Sequence, residues 1–210
     1  MITNPDWLWE QVFIQIPRCP LNFVKASVRE ATRDFLTRTD FWRADLTMDV
    51  VADQDVYSLD TSGEADAAPD VSRICNLYLG VDNKTPTSTS HYKFDIQEVD
   101  EVDTYVVEFL VGYIPAANET DGLKVTVSLI PSLSNSTSIS TFVLDKCALG
   151  IIYGALSFLY GLSSRPWADS QDALRYEQEY TKQLAILSGE QDQQFRANGV
   201  EVAHNPVGWL

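Results

Sequence analysis

Ala148-Leu-Gly-Ile-Ile-Tyr-Gly-Ala-Leu-Ser-Phe-Leu-Tyr-Gly-Leu162 is a run of fifteen uncharged, mostly apolar residues, interrupted only by Gly150, Gly154 and Gly161. A bilayer crossing needs about 20 such residues, so the run reads as a buried or interface helix occupying 145–162. Ser163, Ser164, Arg165 and Pro166 break it, and the pattern beyond them changes. Ala173, Tyr176, Tyr180, Leu184 and Leu187 fall on one helical stripe. Asp172, Arg175, Glu179 and Lys182 fall on the opposite one, at i,i+3 and i,i+4 spacings that pair charges. Residues 142–187 therefore read as a helical hairpin, with Pro166 near the first turn of its second helix.

Working outward, residues 4–16 open on Asn4-Pro5-Asp6, an N-cap, an N1 proline and an acidic first turn, and continue as a short helix. Trp9, Phe13 and Ile16 recur on one face of it, with Leu8 and Val12 beside them. Pro17 and Pro20 punctuate the chain before a longer helix over 21–39, whose apolar stripe is Val24, Val28, Ala31 and Phe35. Lys25, Arg29 and Arg33 stack at i,i+4 on another face of that helix. Such a basic row is a solvated face, a contact for an acidic neighbouring subunit, or a DNA contact.

After Phe41-Trp42 the period becomes two. Leu46, Met48 and Val50 alternate with Thr47 and Asp49, and Val56-Tyr57-Ser58-Leu59 follows a polar turn, which reads as a hairpin. A further strand is expected over 71–79, closed by a turn over 80–83, with a loop of small residues over 61–69. The acidic segment 94–103 lacks the central glycine and ligand alternation of a calcium loop and reads as a short solvated helix. Strands over 105–113 and 124–130 flank 115–122, where Asp121-Gly122 could close a hairpin. Val125, Val127 and Leu129 alternate with Lys124, Thr126 and Ser128, as in a sheet wetted on one face. Residues 132–141 form a Ser-rich linker.

The fold class is thus α+β: a helical layer from the N-terminal helices (1–42) and the C-terminal hairpin (132–188, with its linker), and an inserted antiparallel β module (43–131). Residues 189–210 read as an extended C-terminal arm. A terminal segment normally frays. Phe195, Val200, Val202, Val207, Trp209 and Leu210 are nevertheless many apolar side chains for a solvated tail, and an arm of this kind gains burial on a partner.

Composition narrows the function. A chain of 210 residues that is 45% hydrophobic can bury an ordinary core without staples, and Met1 is not followed by a secretory leader pattern. Cys19, Cys75 and Cys147 are odd in number and far apart, as expected of free thiols in a reducing cytosol, where the sequons at Asn118 and Asn135 mean little. Net charge is −15, yet residues 18–43 hold six basic side chains against three acidic ones. An acidic chain disfavours tight DNA binding, whereas a basic element on an acidic body favours assembly. The two histidines, His91 and His204, sit in polar stretches, and no nucleophile elbow, phosphate loop, dinucleotide fingerprint or Cys-x-x-Cys motif occurs. No catalytic residue, metal ligand or cofactor is expected, and the chain is not read as an enzyme. Of the five tryptophans only Trp209 falls away from a helix end or a helix-strand junction. Gly150 and Gly154 would let another helix approach closely, either that of Ala173 or one from a neighbouring subunit.

The hairpin run, with Arg165-Pro-Trp-Ala-Asp-Ser170 and Ala173-Leu-Arg-Tyr-Glu177, resembles the C-terminal part of head-to-tail adaptor (connector) proteins of tailed bacteriophages, most of all those of short-tailed phages. A second block resembling them is Pro17-Arg-Cys-Pro20 with Val28-Arg-Glu-Ala-Thr-Arg-Asp-Phe-Leu36 and Phe41-Trp42, and a strand ending at Pro131 before the last helices agrees as well. The resemblance spans residues 12–188. It implies a structural virion protein at the head-tail junction, made in the host cytoplasm, whose copies form a ring, twelvefold in the family, beneath the portal ring. Such a ring extends the DNA channel, and genomic DNA passes its lumen without specific binding. Carried onto this chain, Trp167, Tyr176, Tyr180, Phe195, Val200, Val202, Trp209 and Leu210 are expected to dock on the portal. Lys25, Arg29, Arg33, Gly150 and Gly154 are expected between subunits, and the loops 61–69 and 115–122 toward the downstream tail nozzle. Another tail ring subunit, a terminator or nozzle, and a carbohydrate- or receptor-binding β module are the alternatives.

Overall fold

The computed structural model describes residues 2–3, 6–61, 69–80, 87, 90–99, 102–132 and 139–197. The chain divides into two compact units: Met1–Pro5 with Trp42–Leu144, and Asp6–Phe41 with Asp145–Leu210. The class is α+β, with helices from both ends of the sequence in one unit and strands in the other.

In the helical unit, α1 (Asp6–Gln15) buries Leu8 and Val12 completely, and Ile16 just beyond its end continues that line. The stripe is set by this i,i+4 series; Trp9 and Phe13, expected to lead it, are half-buried on its flank. Helix α2 (Leu21–Thr39) follows Pro20, whose extended backbone (φ −60°, ψ 137°) leads into the first turn. It buries Val24, Ser27, Val28, Ala31, Thr32, Phe35, Leu36 and Thr39, a face wide enough to take two neighbouring helices. Asp40 stops it in the left-handed conformation (φ 48°), its N–H donating to the Leu36 carbonyl at 2.9 Å.

Helix α3 (Thr141–Tyr160) is 20 residues long, because Thr141 to Cys147, with Phe142, Val143 and Leu144 ahead of Asp145 and Lys146, add about two turns in front of the uncharged run. Its length and mean hydropathy of 1.7 suffice to cross a membrane, so the expectation that it falls short is corrected. Half of its apolar window is nevertheless covered by the protein itself. The covering is specific. Gly150 lies beneath the Phe35 ring, so closely that a Cβ there would sit 2.1 Å from Phe35 Cε2. At Gly154 a Cβ would meet Tyr180 Cε2 at 3.0 Å and Ala31 Cβ at 3.4 Å. The buried Ser27 hydroxyl donates to the Ala155 carbonyl at 2.9 Å, so this polar group of α2 is satisfied by α3.

Helix α4 (Ser170–Ala197) begins after Asp169, whose Oδ1 accepts from the Gln171 and Asp172 N–H groups at 2.9 and 3.2 Å. Asp169 is therefore the cap, and Pro166 lies in the connecting turn, outside the first turn where it was expected. The pairs Arg175–Asp172 (3.1 Å) and Lys182–Glu179 (3.5 Å) form on its exposed face. The helix also runs ten residues past Leu187, which corrects the boundary expected at 188. Glu190, Gln191, Gln193, Gln194, Arg196 and Ala197 are strong helix formers that carry no apolar period, so propensity extends a helix that patterning would end.

Among the described residues the β unit holds three sheets. β1 (Ile2–Thr3) pairs with β8 (Ile139–Ser140). β2 (Arg43–Val50), β7 (Glu119–Ile130) and β4 (Asp70–Leu79) form one antiparallel sheet in the order β2-β7-β4, and β3 (Val56–Ser58), β6 (Val102–Phe109) and β5 (Tyr92–Val99) another in the order β3-β6-β5. Leu77, Leu123, Val125, Val127, Leu129, Val106 and Val107 are among the unit's most deeply buried side chains. Strands β2 and β3 lie in different sheets, so the expected hairpin between them does not form. Asp53, at φ 62°, turns the chain and donates its N–H to the Pro115 carbonyl instead. Residues 94–99 and 102–103, in a segment expected to be helical, belong to the paired strands β5 and β6, where Phe94 is the register partner of Val107 and Ile96 of Tyr105. There Phe94 and Ile96 alternate with Lys93, Asp95 and Gln97, a period of two that the number of acids hid.

Asp121-Gly122 does not close a hairpin. It forms a bulge inside β7, where β2 advances two residues (Met48 to Val50) while β7 advances four (Leu123 to Glu119). Asp121 takes φ 52°, its N–H donating to Asp49 Oδ1 at 2.9 Å, and at Gly122 a Cβ would meet Glu119 Cβ at 2.6 Å. The helix cap at 4–5, most of the loop 61–69, the turn 81–83 and most of the linker 132–141 lie outside the described residues.

Two outcomes follow from this packing. Gly150→Ala should lower the free energy of unfolding by about 1–3 kcal/mol through overpacking against Phe35, and adding Phe35→Leu should recover part of the loss in urea titrations. Cys147 is fully enclosed, and burial pushes its thiol from 9.0 up to about 12. The unfolded chain ionises near 9 and the folded one does not, so this contribution to stability is complete below pH 9 and is lost as pH rises toward 12. Urea midpoints measured between pH 8 and about 11 should fall less steeply in Cys147→Ala than in the parent.

Candidate assembly interface

The outer face of α2 carries the basic row. Lys25 and Arg29 are exposed and Arg33 is half-buried, on the side of the helix away from Val24, Val28, Ala31 and Phe35. The Lys25 ammonium sits 4.8 Å from the centroid of the Trp9 ring, a cation–π contact that fixes one end of the row. At the other end Arg38 Nε donates to Asp34 Oδ1 at 2.9 Å. Arg29 lies between them, fully on the surface.

Gly150 and Gly154, expected between subunits, are filled from within the chain by Phe35, Tyr180 and Ala31. The close approach is real, but its occupants are α2 and α4 of the same molecule. Tyr180, expected to dock on the portal, is buried against Phe35 (ring centroids 5.7 Å) and its hydroxyl donates to Asp34 Oδ2. Burial first, and then the adjacent Asp34 carboxylate, holds its phenol well above the usual range. Tyr176 is half-buried, stacked against Tyr153 (6.0 Å) and Tyr160 (5.7 Å), and Tyr160 in turn donates to the Gln15 carbonyl at 3.0 Å. Trp167 is half-buried 6.0 Å from Phe23, with the Arg165 guanidinium 5.2 Å from the Phe23 ring centroid. These three aromatic residues thus close the helical unit. An isolated helix wheel cannot tell such a face from a docking face, because both are apolar.

The side chain of Phe195, on α4, and residues Val200, Val202, Trp209 and Leu210 lie outside what the structure describes. Outward apolar side chains that patterning did not single out are Ile14 (67% exposed), Phe158 (58%) and Leu174 (56%).

In the β unit, charge gathers where β2 meets the bulge of β7. Asp49, Asp53 and Asp121 are exposed and Glu119 is half-buried, Val50 being the register partner of Glu119. Asn118 Oδ1 accepts from the Ala52 N–H at 2.6 Å and ties the segment before β7 to the turn after β2. Asp45, earlier on β2, is balanced: burial alone would raise its carboxyl, but hydrogen bonds from Lys124 (2.7 Å) and Thr126 (2.6 Å), with the Lys124 charge, hold it below the usual range. Of the expected 115–122 loop, only residues 115–118 are loop. His91 stacks on Tyr113 at 3.7 Å. Among the described residues no group of three or more His, Cys, Asp or Glu side chains is placed to hold a metal ion.

No family model matches this chain, and no curated protein matches its sequence.

Tyr180→Phe should reduce stability by about 1 kcal/mol, read as a lower urea midpoint, since a half-buried hydrogen bond to Asp34 is lost while ring packing is kept. An unchanged midpoint would show that the bond contributes nothing to the fold.

Proposed function

We propose that this chain is a structural virion protein, a head-to-tail adaptor whose copies form a ring beneath the portal, extend the DNA channel and attach the tail. One observation carries the reading. The two sequence blocks that bear the resemblance, one in 17–42 and one in 149–177, meet in a single helical unit, Phe35 on Gly150 and Phe23 on Trp167. The middle of the chain leaves as a separate β unit. A protein that links two rings gains from this arrangement, because one unit can hold the upper ring while the other offers loops to the next tail component.

The mechanism is mechanical. Assembly buries surface, the closed ring seals the channel, and an acidic lumen lets DNA slide because its phosphates are repelled rather than held. Portal docking falls to the outer surface of α4 and to residues 198–210; Trp167, Tyr176 and Tyr180 support that surface from behind. The carbohydrate-binding alternative has one observation in its favour, the Tyr113 ring, 45% exposed and stacked on His91.

Native mass determination of the chain, alone and mixed with the portal ring encoded by the same genome, tests the proposal. The expected result is a portal carrying a full ring of adaptor copies, and much weaker loading after truncation behind Ala197. A chain with no portal affinity overturns the adaptor reading, and retention of glycans by the isolated chain would then favour the alternative.

A further inference from the structure

The two surfaces described above are opposite in charge and lie on different units. The segment Trp42–Leu144 carries 17 acidic side chains against five basic ones, a net −12 of the chain's −15. The segment 18–43 holds six basic side chains against three acidic ones, and α2 presents Lys25 and Arg29 of that excess to solvent. The acidic end of the β unit has a fixed shape. Asp49 caps the bulge at Asp121, Asp53 is held by its bond to Pro115, and Asp53 and Asp121 both occupy left-handed backbone positions.

We infer that a second copy of this chain is the partner of the basic row: α2 of one molecule docks on the Asp49–Asp53–Glu119–Asp121 end of the next molecule's β unit. Charge complementarity selects the occupant, because any other copy brings the matching acidic surface with it, whereas two basic rows, or two acidic ends, repel. Since each molecule uses one surface to give and a different one to receive, the contact is heterologous. Repetition then produces a closed ring or an open helix, unless two molecules close reciprocally, each giving and receiving, into a two-fold dimer. The inference deepens the adaptor reading by naming the surfaces that join its subunits, but its test needs no portal.

The test is sedimentation equilibrium of the full chain at about 0.1 mM, a concentration that reveals weak contacts. Self-association is expected at about 0.05 M salt and should weaken at least tenfold near 0.5 M, because exposed pairs are screened. Arg29→Glu should weaken it about tenfold or more by turning attraction into repulsion. Asp53→Asn with Asp121→Asn should do so too, and asparagine tolerates both left-handed positions, so the fold is kept. Mixing the two variants restores one intact contact per pair, and the mixture should stop at 1:1 complexes.

A monomer under all these conditions, or self-association indifferent to Arg29→Glu, overturns the inference. Mixed variants that assemble beyond two chains, or fail to associate, overturn the heterologous arrangement. Portal loading by the Arg29→Glu chain separates the two ideas. If copies still load as a full ring, the adaptor reading stands and this interface falls.

Discussion

The contact between the Phe35 ring and the bare backbone of Gly150 is the constraint on which the helical unit depends. Residues more than a hundred positions apart meet there, and the ring fits only because glycine has no Cβ. Once Phe35 is seated, its other side receives Tyr180, and α4 is drawn onto α2 beside α3. A packed interior tolerates few voids, so this triple contact of Gly150, Phe35 and Tyr180 sets the spacing of three helices at once. The Ser27 bond to the Ala155 carbonyl fixes the axial register of the same pair. Sequence apolarity alone would let α3 slide along α2, and the two glycine notches with one buried hydroxyl prevent it.

The same contact explains why α3 is so apolar without being a free surface. Half of its most apolar window is covered by the protein, and the side chains over Gly150 and Gly154 come from α2 and α4. Joining the chain ends in this way leaves the middle of the chain to fold as its own unit. In that unit β7 is the central strand of its sheet, with Val125 and Val127 buried between two partners, and its far end is reshaped by a bulge. The bulge brings Asp121 beside Asp49 and makes one end of the sheet acidic. The basic row on α2 and this acidic end therefore arise from separate local causes, helical spacing in one unit and a left-handed bulge in the other.

Much of this was legible. The apolar stripe of α2, the exposed basic row opposite it, the hairpin of α3 and α4, and the Val125-Val127-Leu129 alternation are consequences of period, and period is a local property of the chain. The same holds for Gly150 and Gly154 as places of close approach. What could not be read was the identity of the approaching groups. Tyr176 and Tyr180 lie on an apolar stripe whether the stripe faces another helix of the same chain or a different protein. Strand partners were equally hidden. Strands β2 and β3 are adjacent in sequence with a turn between them, yet each finds a better partner farther along the chain. The acidic 94–103 segment misled because its carboxylates mask an alternation of Phe94 and Ile96 with Asp95.

By itself, then, the sequence determined the class of the fold, the four helical regions and most of the extended ones, and the separation of basic from acidic segments, since each depends on spacing and composition along the chain. Tertiary structure alone decided which strands pair and which aromatic faces are already occupied. It also brought Asp49, Asp53, Glu119 and Asp121 to one end of a sheet. Those outcomes depend on contacts between distant residues, whose free energies compete only once the whole chain is folded.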